Sequence, residues 1–280
     1  MLCPSCGTEA PDDLPECVNC GTVLLGHVEP ELLTEIEPEL LTEVAPDAVV
    51  NCAGAISGPP AGLVAANIDG TYALVTAMLR AAPARLVHLG SAAEYGAAEP
   101  GVPVTEQAAA RPTGMYGVTK LAGTRLVGTA AAAGLDAVVL RVFNPVGPGA
   151  PAASLPGRLA AELRRALTHG TDVRVGPLDA VRDFIDARDV ADAVLAAVTA
   201  DRLPPVLNVG SGRGLPCRDL VKELLAISGA SCAVREDDGG SARSAGVSWQ
   251  QADITLATTV LQWRPRRDLA DAVADLWRSS

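Results

Sequence analysis

Between residues 46 and 228 the chain alternates short apolar segments with longer segments of helical periodicity, and this alternation restricts its fold more than any other feature. The short segments are rich in small and β-branched residues, as in strands that a parallel sheet buries on both faces. The predicted strands are 48–52, 86–89, 137–142 and 206–209, and the predicted helices lie near 63–82, 117–133, 157–168, 189–199 and 217–228. Strands that alternate with helices in this way predict an α/β fold with a mostly parallel sheet.

The first 24 residues carry a different pattern, two CxxC pairs separated by ten residues. Each pair can form a tight turn that points two sulfur atoms at one ion, and a glycine after each pair, Gly7 or Gly21, relieves the strain of that turn. Four thiolates in a tetrahedral arrangement favour zinc and leave no open position for catalysis. Four reduced thiols or two disulfides are the alternatives. We expect a structural zinc ribbon over residues 1–24, with the metal held by Cys3, Cys6, Cys17 and Cys20.

An eight-residue duplication follows, EPELLTEI and then EPELLTEV, over residues 29–44. Its leucine, isoleucine and valine residues fall on one face of a helix. Pro30 suits a first helical turn, whereas Pro38 should kink or divide the helix. We expect residues 25–45 to form an amphipathic helical linker that packs on the next domain, with binding of a partner as the alternative.

The composition excludes several functional classes. The chain has 280 residues and a net charge of −11, so it offers no basic cluster able to neutralise nucleic-acid phosphates. No apolar run approaches the length of a membrane span, and the N-terminus does not resemble a signal peptide, so we expect a cytoplasmic protein. Seven cysteines fit that compartment if four hold a metal and the others are buried thiols.

Three polar residues, Ser91, Tyr116 and Lys120, occur in an order that suggests chemistry. Ser91 follows the apolar strand 86–89, so its hydroxyl group should lie at the carboxyl end of a sheet strand, where α/β proteins bind ligands. Tyr116 and Lys120 are four residues apart and share one face of a helix. An ammonium group lowers the pKa of a nearby tyrosine, which could then exchange a proton with a substrate hydroxyl or carbonyl group near neutral pH. The serine would hydrogen-bond the same oxygen.

Together these motifs resemble the extended short-chain dehydrogenases/reductases, the NAD-dependent epimerase/dehydratase family. The matching segments are PDAVVNCAG (46–54), NIDGT (67–71), GSAAEYG (90–96), YGVTK (116–120), RVFNPVGPG (141–149), VRDFIDARD (181–189), LNVGSG (207–212) and LQWRP (261–265). The resemblance implies a Rossmann-like sheet, a smaller α/β substrate domain, NAD(P) as cofactor and a nucleotide-activated sugar as substrate. Within the family the pattern is most similar to reductases of GDP-4-keto-6-deoxy sugars.

The resemblance also assigns roles to individual residues. Ser91, Tyr116 and Lys120 would be catalytic. The residues near the nicotinamide would be Ala53, Gly54, Asn67, Tyr116 and Lys120, and those near the nucleotide and its diphosphate would be Asn144, Arg182 and Arg243. In the 4,6-dehydratases acidic residues follow the catalytic serine or threonine. Because Ala92 and Ala93 stand there in this chain, we do not expect dehydratase chemistry.

The family's glycine-rich turn, whose backbone cradles the dinucleotide pyrophosphate at a helix N-terminus, has no counterpart before residue 45. The segment GSGRG (210–214) has the wrong spacing for such a turn. The match therefore begins at the family's fourth strand, as though the zinc ribbon stood in place of the first three strands. We expect residues 46–149 to form the rear half of a Rossmann-like domain and residues 150–280 to form a substrate domain with elements that return to the sheet.

Two hypotheses for the function remain open. In the first, the chain is an enzyme that reduces or epimerises a nucleotide-activated sugar, with NAD(P) bound weakly or with the help of a partner. In the second, it is a non-catalytic binding or scaffold protein that cannot hold the dinucleotide on its own. The intact Ser–Tyr–Lys set favours the first, and the missing turn favours the second. Missing strands would also leave strand 48–52 with an open edge, which a second copy or another protein should cover through residues 46–54.

Overall fold

The computed structural model describes residue 36 and residues 38–81, 84–236 and 246–279. Within these ranges the strands are β1 (Ala48–Asn51), β2 (Arg85–Ser91), β3 (Ala137–Val142), β4 (Asn144–Val146), β5 (Val173–Val175), β6 (Val181–Asp186), β7 (Val206–Val209), β8 (Gly214–Pro216) and β9 (Val234–Glu236). The helices are α1 (Pro38–Val44), α2 (Pro60–Val64), α3 (Gly70–Arg80), α4 (Met115–Ala132), α5 (Leu155–His169), α6 (Ala187–Thr199), α7 (Cys217–Ser228), α8 (Thr255–Leu261) and α9 (Leu269–Ser279). The predicted zinc ribbon, residues 25–35 and 37 of the linker, and Arg243 lie outside the described residues.

The larger sheet has the strand order β1-β2-β3-β7, and every neighbouring pair in it is parallel. Its register sets Val50 beside Val87, and Leu140 beside Leu207. Because parallel strands end at the same edge of a sheet, the residues that follow all four strands lie along one edge. The predicted α/β fold with a parallel sheet is confirmed.

Both faces of this sheet are covered by helices. Leu86 and Val139 point to the face that α3 and α4 cover, whereas Val87, Val138 and Leu140 point to the face that α6 and α8 cover. All five are almost completely buried. Alternate residues of a strand point to opposite faces, so a sheet with helices on both sides needs continuous apolar strands. This is the origin of the apolar segments in the sequence.

The segment Pro60–Arg80 is helical, 21 residues long, and has a mean hydropathy of 1.3 in its most apolar window. By length and composition it could therefore cross a membrane, which corrects the expectation that no apolar run approaches that length. A π-helical turn, Ala65–Asp69, joins its two parts. Leu74, Val75 and Met78 of this segment belong to the core beneath the sheet. Packing against β2 and α4 accounts for their apolar character.

Two smaller sheets, β4-β6-β8 and β5-β9, complete the fold. They share a second core with α5, α7 and α9, in which Leu159, Leu220 and Val273 are fully buried around Phe184. Strand β6 runs parallel to β4 and antiparallel to β8. Its first three residues, which include Arg182, pair with β8, and its last three pair with β4.

Among the described residues, β1 is paired on one side only, by β2. Val50 at this edge is 40% exposed. Helix α1 begins at Pro38, and residues 29–35 of the first copy of the repeat lie outside the described residues. Leu41 packs on the core beneath α3, whereas Leu40 and Val44 are exposed. The predicted common apolar face is thus wrong for these two residues, because a helix of seven residues contacts the core along one narrow side.

Candidate active site

Ser91 ends β2 and begins a 3₁₀ turn, Ala92–Glu94, at the carboxyl edge of the sheet. Its Oγ accepts a hydrogen bond from the backbone N–H of Ala93 at 3.2 Å. Its own N–H donates to Oε1 of Glu94 at 2.8 Å, so serine and glutamate form a reciprocal capping box. The hydroxyl proton is left to donate elsewhere, because the serine oxygen serves as an acceptor in this turn.

Helix α4 carries Tyr116 and Lys120 on consecutive turns and approaches the serine turn at Gly117. A Cβ atom on Gly117 would lie 2.4 Å from the carbonyl oxygen of Ala93. No side chain fits in that space, so glycine is required for the close approach. The YGVTK motif therefore sets the spacing of the tyrosine and the lysine and also the distance between α4 and the serine turn.

Lys120 is buried, and its Nζ donates a hydrogen bond to the carbonyl oxygen of Leu89 at 2.6 Å. A Cβ atom on Gly54 would lie 3.8 Å from this Nζ, so the ammonium group lies between β2 and the loop that follows β1. Burial lowers the pKa of Lys120, while Glu94 and then Cys52 raise it. The lysine is thus a buried cation that opposing charges help to retain.

The loop after β1 is held from one side by Asn51. Its Oδ1 accepts from the backbone N–H of Ala53 at 3.0 Å, and its Nδ2 lies 3.0 Å from Nδ1 of His88. Because the amide nitrogen donates, Nδ1 of His88 is the acceptor and Nε2 carries the proton. Burial, and then the charge of Lys120, lowers the pKa of His88 to about 3, so the ring is neutral.

Asn67 holds the same loop from the other side. Its Nδ2 donates to the carbonyl oxygen of Ala55 at 2.9 Å and to Oγ1 of Thr119 at 3.0 Å, and its Oδ1 accepts from the N–H of Ala55 at 3.0 Å. A Cβ atom on Gly54 would lie 2.7 Å from that Oδ1. The amide of Asn67 is buried and occupied by the protein, so this residue shapes the loop, whereas Ala53 and Gly54 are exposed.

Cys52 lies at the start of this loop and is exposed, whereas Cys217 is buried and Cys232 is half-buried. The expectation of three buried thiols is therefore wrong for Cys52. It follows β1, the edge strand of the described sheet, which has a covering strand on one side only. Burial still raises the pKa of the Cys52 thiol, and the charge of Lys120 opposes this rise.

Beneath the serine turn lies a buried ion pair between Glu94 and Arg141. Nε of Arg141 donates to Oε2 of Glu94 at 2.8 Å, and both side chains are almost fully buried. The guanidinium group also lies over the ring of Tyr95, 4.5 Å from its centroid. The hydroxyl group of Tyr95 donates to Oδ1 of Asn208 at 2.7 Å. This chain of contacts connects the serine turn with β3 and β7.

The predicted substrate residue Asn144 begins β4, and Arg182 is the second residue of β6. Nδ2 of Asn144 donates to the carbonyl oxygen of Asp183 at 2.9 Å. The guanidinium group of Arg182 is buried and donates to the carbonyl oxygens of Val181 and Val247, at 2.8 and 2.6 Å. In the part of the chain that the structure describes, no carboxylate pairs with Arg182.

The segment that contains Val247 continues to the serine turn. Gln250 is buried, and its Nε2 donates to the carbonyl oxygens of Ala92 and Gly96, at 2.9 and 3.3 Å. Its backbone N–H donates to the carbonyl oxygen of Val181 at 3.0 Å. Residues 247–250 therefore join the region of Arg182 to the turn that carries Ser91.

The GSGRG segment, which has the wrong spacing for a dinucleotide-binding turn, binds an anion from within the protein. The backbone N–H groups of Ser211 and Gly212 donate to the carboxylate of Asp183, at 2.7 and 3.0 Å. Oγ of Ser211 and the N–H of Ala252 donate to it as well. Burial raises the pKa of Asp183 to about 6, although these hydrogen bonds lower it. The carboxylate occupies the donors that the glycine-rich pattern provides.

Ser91 and Lys120 thus lie at the carboxyl edge of a parallel sheet, and α4, which also carries Tyr116, approaches the serine turn at Gly117. A family model described as "NAD dependent epimerase/dehydratase family" matches residues 34–210, which is more than half of the chain. The chain belongs to the NAD-dependent epimerase/dehydratase family.

Several members of this family are similar over most of the chain. A dTDP-6-deoxy-L-talose 4-dehydrogenase (NAD(P)(+)) from Kitasatospora kifunensis is 42% identical over 234 residues, which cover 82% of this chain and 74% of that protein. A GDP-6-deoxy-D-mannose reductase from Pseudomonas aeruginosa is 30% identical over 200 residues, covering 68% and 66%. The solved structure of RMD from Pseudomonas aeruginosa complexed with NADPH has a TM-score of 0.76 at 26% identity, covering 90% and 85%.

These relatives refine the subclass that the motifs predict within the epimerase/dehydratase family. The motifs predict greatest similarity to reductases of GDP-linked sugars. The dTDP-sugar dehydrogenase is more similar to this chain than the GDP-sugar reductase is, at 42% against 30% identity. Both matches confirm a similarity to nucleotide-sugar dehydrogenases and reductases. The match to the GDP-sugar reductase is the weaker of the two matches.

Sequence reasoning missed the buried polar groups whose hydrogen bonds hold the serine turn and the neighbouring start of β6 in place. Glu94 had a readable signal, since Ser91 and Glu94 form the S-x-x-E pattern of a capping box. Arg141, Asp183 and Gln250 had none. Their partners lie 28 to 158 residues away along the chain, and only the folded structure brings them together.

Proposed function

We propose that the chain catalyses hydride transfer between NAD(P) and C4 of a nucleotide-activated sugar, as a 4-keto reduction or the reverse oxidation. The single observation that carries the proposal is the buried Lys120, which lies on the same helix as Tyr116 and reaches β2 two residues before Ser91. A cation in that position stabilises a tyrosinate in a protein interior. The two relatives named above, a dehydrogenase and a reductase, act on nucleotide sugars.

In this proposal Tyr116 donates a proton to the sugar oxygen during reduction and accepts one during oxidation. Ser91 donates a hydrogen bond to the same oxygen, for which its hydroxyl proton is available because Oγ accepts from Ala93. Lys120 stabilises the tyrosinate by its charge. Bound NAD(P) supplies or accepts the hydride. Epimerisation would use the same three residues on a sugar that rotates in the site between oxidation and reduction.

The residues at the nicotinamide end fit the cofactor. Ala53 and Gly54 are exposed beside Lys120, and Asn51 and Asn67 fix their loop from two sides. For the pyrophosphate the 280 residues contain no glycine-rich turn before residue 45. We therefore expect this chain to bind NAD(P)H with a dissociation constant no tighter than about 1 mM. A micromolar constant by calorimetry would refute this expectation.

For the substrate, we propose that Arg182 binds the diphosphate or nucleotide part, with Asn144 beside it and Arg243 as a further candidate. Arg182 supports this role because its guanidinium group is buried and the described residues provide only backbone carbonyls as partners. A buried guanidinium group without a carboxylate partner is suited to bind phosphate oxygens with its remaining N–H groups.

The test is a turnover assay of the full chain. It uses millimolar NAD⁺ or NADP⁺ with dTDP-, GDP- and UDP-linked 6-deoxyhexoses, and follows the absorbance of the reduced nicotinamide. We expect turnover with at least one of these sugars and a loss of about 10³-fold or more in kcat for Tyr116→Phe. Tyr72→Phe is the matched control, because Tyr72 is 59% exposed on α3. Full activity of Tyr116→Phe, or no turnover of any of these sugars, would refute the proposal.

A second candidate is a non-catalytic protein that binds a nucleotide sugar, and the missing glycine-rich turn favours it. Calorimetry separates the two. Binding of the sugar nucleotide without turnover at saturating NAD(P) would support the second candidate and reject the first.

We keep three further expectations as proposals. Residues 1–24 hold one structural zinc through the four cysteines. Residues 46–149 and 150–280 form the dinucleotide-side and substrate domains. A second copy or another protein covers, through residues 46–54, the edge of β1 that no described strand pairs, since an unpaired apolar edge invites pairing. A monomer by light scattering, with rapid hydrogen exchange at 49–52, would refute this last proposal.

A further inference from the structure

We propose that Glu94 is a positioning residue of the Ser91–Tyr116–Lys120 site: its carboxylate fixes the serine turn and provides the negative charge that balances the buried lysine. The catalytic consequence rests on the proposed function. The structural part rests on contacts that exist whether or not the chain is an enzyme.

The first contact holds the serine. Oε1 of Glu94 accepts the backbone N–H of Ser91 at 2.8 Å, and Ser91 in turn caps the 3₁₀ turn through the N–H of Ala93. These two bonds fix the backbone and the side chain of Ser91 together. A shift of this turn would move the serine hydroxyl group relative to the tyrosine on α4, and errors of about 1 Å in such a site cost about 100-fold in rate.

The second set of contacts fixes Glu94 itself. Oε2 accepts from Nε of Arg141 at 2.8 Å and from Oγ1 of Thr124 at 2.9 Å. The side chain has no solvent exposure. Gly90 provides the space, since a Cβ atom there would lie 2.7 Å from Oε1 of Glu94. The carboxylate is therefore held in one place by β3, by α4 and by the glycine next to Ser91.

The third point concerns charge. Thr124 lies one helical turn after Lys120 on α4, so its bond to Glu94 brings the carboxylate to the lysine-bearing part of that helix. Other titratable groups face Lys120 from each neighbouring element. They are Cys52, which follows β1, and His88 on β2, while Arg141 on β3 is engaged by Glu94. Tyr116 precedes Lys120 by one turn on α4. Glu94 is the largest influence that raises the pKa of Lys120 against the effect of burial.

These contacts predict a result that a purely structural role would not give. If Glu94 only closed the turn, its replacement by glutamine would keep the bond to the N–H of Ser91 through the amide oxygen and would leave Lys120 unaffected. If its charge balances Lys120, the same replacement should lower the pKa of Lys120. The alkaline limb of the kcat profile should then move to lower pH, because the lysine loses its proton earlier.

The experiment uses the full chain with carbon-13 at Cε of lysine. The chain has only two lysines, and Lys222→Arg assigns the signals. The variants are Glu94→Gln and the double variant Glu94→Gln/Arg141→Met, with Glu162→Gln as the matched control. Glu162 lies on α5 in a surface ion pair with Arg165. The double variant removes both partners of the buried ion pair, so Arg141 is not left without its carboxylate, and the variant should fold even where Glu94→Gln does not.

We expect the pKa of Lys120 to fall in both Glu94 variants and to stay unchanged in Glu162→Gln. We expect kcat to fall about 10- to 100-fold with KM changed less than about threefold, because Glu94 does not touch the substrate. A folded double variant in which Lys120 titrates as in the original chain would overturn the proposal. A shifted Lys120 titration in a chain without any turnover would reject the proposed function and keep the electrostatic role of Glu94.

Discussion

The serine turn and the neighbouring start of β6 each bury a carboxylate, and they stabilise it in different ways. Glu94 faces the cation of Arg141 at 2.8 Å. Asp183 has no cation partner among the described residues and is held by N–H and hydroxyl groups of Ser211, Gly212 and Ala252. Arg182, which directly precedes Asp183, donates its hydrogen bonds to backbone carbonyl oxygens instead.

The two carboxylates therefore differ in how readily their charge can change. An ion pair that the chain completes by itself is a permanent part of the framework. A buried charge that only dipoles stabilise can still change its protonation state or bind a counter-ion. We therefore expect the serine turn to be rigid, and the region of Arg182 and Asp183 to respond to pH and to ligands.

The largest effect should follow from breaking the fixed pair. Arg141→Met leaves the buried carboxylate of Glu94 without its ion-pair partner and should lower the free energy of unfolding by about 3–5 kcal/mol. Arg165→Met, in an exposed pair with Glu162, should cost less than about 1 kcal/mol. Urea denaturation measures both. Equal losses in the two variants would mean that the buried pair is no more important than a surface one.

The next effect tests whether Asp183 responds to pH. Its folded pKa of about 6 lies above the ordinary value of 3.8, so the native state binds this proton more tightly than the unfolded chain. The stability from this group is complete below about pH 4 and is lost as the pH rises through 6. Between pH 7 and 4, the unfolding free energy of the original chain should rise by up to roughly 3 kcal/mol relative to Asp183→Asn.

The control for this comparison is Asp201→Asn, at an exposed position. It should show the same pH dependence as the original chain. A constant difference between the original chain and Asp183→Asn across this range would show that Asp183 does not titrate there.

A smaller effect is expected for Arg182→Met, and it should appear mainly in binding. Among the described residues no carboxylate pairs with Arg182, so the unfolding free energy should change less than in Arg141→Met. The dissociation constant of the sugar nucleotide should rise about 10- to 30-fold, since a hydrogen bond to a charged group contributes roughly 1.5–2 kcal/mol. Calorimetry with the sugar nucleotide identified by the turnover assay measures it. Unchanged affinity would remove Arg182 from the substrate site.

The smallest effect on both buried regions should follow from a change in the N-terminal segment. Cys17→Ser should reduce the zinc content from one atom per chain to none, and the urea midpoint of the main fold should stay the same, because a zinc ribbon derives its folding free energy from its own metal. Elemental analysis checks the first part. The original chain without stoichiometric metal would refute the ribbon.

The elements of this protein could be predicted from the sequence because their signals are local. The four sheet strands and the helices between them follow from apolar periodicity, and Pro38 marks the start of α1. The positions of Ser91, Tyr116 and Lys120 at the carboxyl edge follow from motifs of a few residues. The exposure of Leu40, Val44 and Cys52 could not be predicted, since it depends on which neighbours cover a short helix and an edge strand.

The sequence alone thus determined the α/β class, the family and the three residues at the centre of the candidate site, because period and motif are properties of neighbouring residues. Tertiary structure decided the partners of Glu94 and Asp183. The glutamate meets Arg141 only because β2 and β3 are adjacent and parallel, and the aspartate meets Gly212 only because the loop that follows β7 contacts Asp183 on β6. Burial of a charge depends on everything packed around it, and those groups come from distant parts of the chain.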